Sequence, residues 1–109
     1  MKLLIAIVQD EDANRLVSEL MDAGFSVTKL ATTGGFLRSG NTTLLIGTDD
    51  AKVPVVTGIV EKVCKARRQM TTAPAPVGGM AGGFNPYPLE VTVGGATLFV
   101  LSVEQFVKL

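Results

Sequence analysis

Residues 29–43 read KLATTGGFLRSGNTT and crowd several ligand-holding groups between two strand-like runs. Gly34-Gly35 frees the backbone to turn its N–H groups into an anion-binding concavity. Phe36 offers a flat face on which a base can stack. Asn41 both donates and accepts, as reading an adenine edge requires. Arg38 supplies a cation for a phosphate. The Gly-Gly pair matches neither the Walker A loop nor the dinucleotide fingerprint. These residues by themselves therefore leave an ordinary Thr-rich hairpin open as the alternative.

The chain has 109 residues and no histidine. That absence removes the commonest general base and a leading metal ligand, which weakens any catalytic reading. Ten basic and ten acidic residues give a net charge of +0, so the broad positive footprint of a nucleic-acid binder is missing. A hydrophobic content of 47% is enough for a proper core. The single cysteine excludes a disulfide framework. The apolar run Leu3–Val8 is short for a signal peptide, and nothing approaches the ~20 apolar residues of a membrane span. The expectation is one soluble, cytoplasmic domain over residues 1–109.

The elements that must position the hairpin follow from periodicity. KLLIAIV (2–8) is apolar on both faces and reads as a strand. Ala13, Leu16, Val17, Leu20 and Met21 form the stripe of a helix, with Asp10 or Asp12 as its cap and Gly24 at the C′ position. Residues 25–32 and 41–48 read as strands. Val56, Ile59, Val60, Val63 and Cys64 mark a second helix starting at Asp49-Asp50, with Pro54 in its first turn. Residues 69–88 hold four of the five prolines and two Gly-Gly pairs, and read as a long mobile loop. LEVTV and ATLFVL flank Gly94-Gly95 as a two-residue hairpin would. Ser102 and Gln105 suggest a capping box for a last short helix contacting Phe106 and Leu109.

This order describes an α+β, ferredoxin-like βαββαβ sandwich with a C-terminal hairpin and short helix. Helices cover one sheet face only, yet Leu3, Ile5 and Ile7 make the other face apolar too. A second copy of the sheet is the economical cover, so a homo-oligomer is expected. If the second and third strands pair about a 33–40 tip, Phe25, Val27, Ala31, Leu44 and Ile46 face the helices. Thr28, Leu30, Thr32, Asn41, Thr43, Leu45 and Gly47 face the other way. That polar set on an intersubunit face needs partners, which a ligand held between subunits supplies.

The stretch TKLATTGGFLRSGNTTLLIG (28–47), the opening IAIVQDED and the block YPLEVTVGGATLFVL closely resemble the cyclic di-AMP receptor family of PII-like signal transduction proteins. The resemblance runs along essentially the whole chain. It implies a homotrimer of PII-like fold, without catalytic activity or metal, that binds cyclic di-AMP between subunits. Carried over by position, Thr28 and Asn41 hydrogen-bond an adenine. Gly35, Phe36 and Leu37 line the nucleotide, with their amides near a phosphate. Gly47 leaves room for the base, and Phe99 packs on the ligand from a neighbouring subunit. The family pattern has a basic residue where this chain has Ser26 and a polar one where it has Gly24. Lys29 and Arg38 are the cations available to compensate.

Other features read more plainly. Cys64 lies on a helix stripe as a small core residue, and Asp10-Glu11-Asp12 read as a capping segment rather than a metal site. The basic residues between 62 and 68 read as a solvated helix end. Met70, Met80, Phe84 and Tyr87 either pack down or form a surface for a downstream protein partner. Two other classes stay in play: a PII-type regulator sensing ATP or another metabolite, and an acylphosphatase-like enzyme using Arg38 and Asn41. An RNA-recognition module fits poorly, given neutral charge and few aromatics.

Overall fold

The computed structural model describes residues 1–30, 40–72, 75–76, 84–85 and 88–109. Strand β1 (Lys2–Gln9) leads into helix α1 (Asp10–Asp22), then strands β2 (Val27–Leu30) and β3 (Asn41–Thr48). A 3-10 turn (Asp50–Lys52) opens helix α2 (Val53–Cys64), with Pro54 in the first turn as the sequence suggests. Beyond it come β4 (Arg67–Thr72), β5 (Ala75–Pro76), β6 (Phe84–Asn85), β7 (Pro88–Val93) and β8 (Ala96–Ser102).

The main sheet has the order β2-β3-β1-β8, antiparallel throughout. β1 and β2 therefore run parallel and are split by β3, while β3 and β8 run parallel and are split by β1. This is an α+β arrangement of two helices and antiparallel sheets compatible with a ferredoxin-like fold. Leu4, Ala6 and Val8 of β1 share one face with Leu44 and Ile46 of β3, and all five are almost fully buried. Leu16 and Leu20 of α1 and Val56, Val60 and Val63 of α2 complete the same core. Each of these Leu, Ile and Val side chains contributes about 1.5–3 kcal/mol by leaving water, which makes this layer the main anchor of the fold.

Helix α1 ends as its glycine suggests. Gly24 has φ +92°, its N–H donates to Met21 O at 3.0 Å, and Phe25 N–H donates to Leu20 O at 3.0 Å. That is a Schellman closure, sealed by the buried pair Leu20 and Phe25. The start differs from expectation. Gln9 is the N-cap residue and no side chain caps it. Asp10 instead accepts a hydrogen bond from Thr42 Oγ1, and Asp12 is taken by an arginine. Met21, placed on the apolar stripe by spacing, is exposed.

Three C-terminal expectations are corrected. Gly94-Gly95 does not close a hairpin. β7 pairs with β4, whereas β8 pairs with β1. Both glycines have positive φ, but their N–H groups go to Gln9 Oε1 and Cys64 O, so the chain turns a corner between two sheets. The exposed edge of β1 claims β8, overriding the local turn signal.

The last short helix does not form. Ser102 is the final residue of β8, its Oγ accepts from Lys2 Nζ at 2.8 Å, and Val103 N–H donates to Met1 O at 3.2 Å. The groups that would have built the cap are held in cross-strand contacts, and Phe106 and Leu109 are exposed. The segment 69–88 is also not one loop. β4 and β7 make an antiparallel ribbon from 67 to 93, continued in the same register by β5 and β6. The remaining positions of that segment, and the tip residues 31–39, lie outside the described residues.

Candidate functional site

The β2–β3 register confirms the face assignment. Val27 pairs with Ile46, Thr28 with Leu45, Lys29 with Leu44 and Leu30 with Thr43. Val27 accordingly turns to the core, while Thr28, Leu30, Asn41, Thr43, Leu45 and Gly47 share the face away from the helices. Ala31 and Thr32 fall outside the described residues.

Leu45 pairs onward with Ile5, and Ile5 with Phe99. Thr28, Leu45, Ile5 and Phe99 thus form one row across the sheet. Three strand spacings separate its ends, about 14 Å. Asn41 sits four residues along β3 from Leu45, again about 14 Å at ~3.4 Å per residue. The backbone consequently brings Thr28 and Gly47 together, but sets Asn41 and Phe99 of the same subunit apart from them.

Two of the clefts formed by the described residues open on this face. The larger, about 490 Å³, is lined by Met1, Leu3, Ser26, Thr28, Leu45, Gly47, Val103 and Phe106. Its floor is apolar and its rim carries the Thr28 and Ser26 hydroxyls, a combination suited to a flat heterocycle with a polar edge. The N-terminal amine of Met1 pairs with Asp50 at 2.9 Å, and the hydrogen bond holds the Asp50 carboxyl below its usual range. Met1 is thereby drawn over Gly47: a Cβ added at Gly47 would lie 3.2 Å from Met1 Cε. Gly47 lines the larger cleft, and the flexible end of a methionine lies over it.

The second cleft, about 300 Å³, is lined by Ile7, Gln9, Asn41, Gly94, Gly95, Ala96 and Thr97. Asn41 pairs with Gln9 across the strands, so two amide side chains stand together at its edge. Gln9 Oε1 accepts the Gly94 N–H at 2.7 Å. The sequence reading ended the first strand at Val8 and gave Gln9 no role. Its signal was alternation, which sets a polar residue in the column of Leu3, Ile5 and Ile7.

Gly35, Phe36, Leu37 and Arg38 lie outside the described residues. Lys29 is exposed and projects from the opposite face to Thr28. Phe99 is 50% exposed and Leu101 is 45% exposed, both on the face of β8 turned away from the helices. Ser26 lines the larger cleft directly. Gly24 is accounted for by the helix closure described above.

The ionisable groups nearby have structural duties. Arg67 grips Asp12 with Nη2–Oδ1 at 2.9 Å and Nη1–Oδ2 at 3.4 Å. That hydrogen bonding raises the guanidinium pKa above its ordinary value. Arg68 pairs with Glu90 and Lys62 with Glu19, so the basic run is largely neutralised within the chain. Cys64 is buried, and its thiol is pushed up to about 11, chiefly by burial and next by the Asp12 charge. It is a core thiol, as its helical position suggests. Among the described residues no acidic or sulfur cluster could hold a metal ion, and no helix is long and apolar enough to cross a membrane.

A helix-backed antiparallel sheet whose free face carries clefts of apolar floor and amide or hydroxyl rim defines a small-molecule-binding scaffold. Comparison with known proteins makes this specific. The family model described as cyclic-di-AMP receptor matches residues 1–109, and the chain belongs to that family. The fold is also shared with a crystal structure of a functionally unknown protein from Pediococcus pentosaceus ATCC 25745. The two are 45% identical with a TM-score of 0.77, over 99% of this chain and 96% of that one.

Proposed function

We propose that this protein is a non-enzymatic, PII-like signalling receptor that forms a homotrimer and binds cyclic di-AMP between neighbouring subunits. The observation that carries this reading is the whole-length match to the cyclic-di-AMP receptor family. In this reading Thr28 hydrogen-bonds one adenine over the floor of the larger cleft, and Gly47 leaves the space for it. Asn41 reads the nucleotide from the second cleft. Gly35, Phe36 and Leu37 line it with their amides near a phosphate, and Arg38 answers the phosphate charge.

The geometry supports a site shared between subunits. Phe99 stands about 14 Å from Thr28 along its own sheet row, too far for both to touch one ring within a subunit. A neighbour's Phe99 has no such restriction, and its half-exposed ring belongs to an otherwise uncovered apolar column. Packing three such faces together buries that column and completes the pocket in the same step. Occupancy is relayed in the cytoplasm by reordering of residues 33–40 and 69–88, which alters what a downstream protein meets. No resident cofactor is required.

Isothermal titration with cyclic di-AMP, against ATP and cyclic di-GMP, tests the reading. Selective binding at one site per subunit is the expected result. Absence of heat with cyclic di-AMP would refute it, and selective heat with ATP would move the function to metabolite sensing.

A further inference from the structure

The cleft beside Asn41 borders the root of the β4–β7 ribbon, and a short chain of contacts connects them. Gln9 lines the cleft and accepts the Gly94 N–H at 2.7 Å. Gly94 is packed against the base of the ribbon, where a Cβ would lie 2.6 Å from Arg67 Nη1 and 2.7 Å from Lys65 O. Arg67, the first residue of β4, donates to Lys65 O at 3.2 Å and grips Asp12 with both nitrogens. Asp12 belongs to the first turn of α1, which follows Gln9 directly. The contacts therefore close a ring: β1 end, Gly94, Arg67, α1 start. Among the described residues, β4 and β7 otherwise make their main contacts with each other. The direction of the ribbon accordingly depends on how its root is held.

We propose that this Gln9–Gly94–Arg67–Asp12 joint sets the direction of the ribbon, and that a nucleotide in the adjoining cleft acts on the ribbon through it. The inference rests on the cyclic di-AMP reading of that cleft and adds the route by which occupancy is transmitted. The Asp12 side chain is only 7% exposed, so its carboxylate depends on the guanidinium for solvation. Separating the pair is costly, because it leaves the buried carboxylate without its partner. Gln9 has one side-chain carbonyl, already given to Gly94. A ligand that hydrogen-bonds the Gln9 amide holds that carbonyl in place and tightens the joint. One that competes for it frees Gly94. Arg67 is a positioning residue, touching Asp12 and Lys65 but not the cleft.

Hydrogen exchange on the full chain, with and without saturating cyclic di-AMP, reads the joint. Without ligand, Arg67→Ala is expected to speed amide exchange in 67–72 and 88–93 on the order of tenfold, with β1 and β3 unchanged. Arg67→Lys is expected to restore only part of the protection, because it keeps the charge but loses the two-pronged geometry. With ligand, the wild-type ribbon changes its exchange, and Arg67→Ala loses most of that change while titration still detects cyclic di-AMP binding. Ribbon exchange in unliganded Arg67→Ala equal to wild type, or a fully retained ligand response, would overturn the joint. A wild-type protein that binds no cyclic di-AMP would instead sink the functional reading, and the unliganded comparison would still decide whether the joint exists.

Discussion

Replacing Gly94 by alanine should be far more damaging than the same change at Gly95, although the two glycines are adjacent and both have positive φ, +83° and +91°. The left-handed backbone alone costs a residue with a Cβ roughly 1–2 kcal/mol, and both variants incur that. At Gly95 the nearest atom to a new Cβ is Ala66 Cβ at 3.9 Å, an ordinary contact. At Gly94 the Cβ would meet Arg67 Nη1 at 2.6 Å, Lys65 O at 2.7 Å and Cys64 O at 3.1 Å. Two of these are backbone carbonyls at the end of α2, and the third belongs to a guanidinium held by Asp12. Overpacking of this kind adds about 1–3 kcal/mol. Gly94→Ala is thus expected to lose about 2–5 kcal/mol and Gly95→Ala about 1–2. Urea unfolding followed by circular dichroism, at one fixed protomer concentration, measures both. Equal losses would refute the reasoning, because they are what a free two-residue turn would show.

Four further outcomes follow from the site. Thr28→Val and Asn41→Ala should each weaken cyclic di-AMP binding about three- to tenfold by titration, the worth of a neutral hydrogen bond. Gly47→Val should abolish that binding with little loss of stability, since the nearest atom to the new Cβ, the flexible Met1 Cε at 3.2 Å, has only to give slightly; a folded variant with unchanged affinity would count against the notch. Phe99→Glu should dissociate the proposed trimer in light scattering, because each subunit would forfeit ~1.5–3 kcal/mol of aromatic burial and gain a charge there. Cys64 titrates higher in the folded protein than the ordinary thiol value of 9.0, at about 11, so its contribution is complete below pH 9 and is lost as pH rises through 11. Thermal melts should show a loss of up to ~2–3 kcal/mol across that window, absent in Cys64→Ala.

Much of the site's layout was legible in residue order. Alternation in β1 and β3 assigns every side chain to a face, and the expected symmetric pairing of β2 with β3 agrees with the register that sets Thr28 opposite Leu45. Helical stripes placed Leu16, Leu20, Val56, Val60 and Cys64 in the core, and Gly24 closes α1 as its position suggests. These are local signals of period two, period 3.6 and positive φ, and chain connectivity alone enforces them.

What tertiary structure decided lies where two distant segments compete for the same groups. Gly94-Gly95 carries the sequence of a hairpin turn, yet the free edge of β1 and the outgoing strand β4 each took one of its flanking strands. Ser102 looks like a helix cap, yet Lys2 and Met1 lie opposite it in the sheet and use the bonds the cap would need. Arg67 reads as the solvated end of a basic helix and becomes the partner of a buried carboxylate 55 residues earlier. The amino-acid order thus determined which faces and caps exist; which strand meets which was settled by long-range pairing, because an unpaired edge or an unpartnered buried charge costs more than a local turn preference can repay.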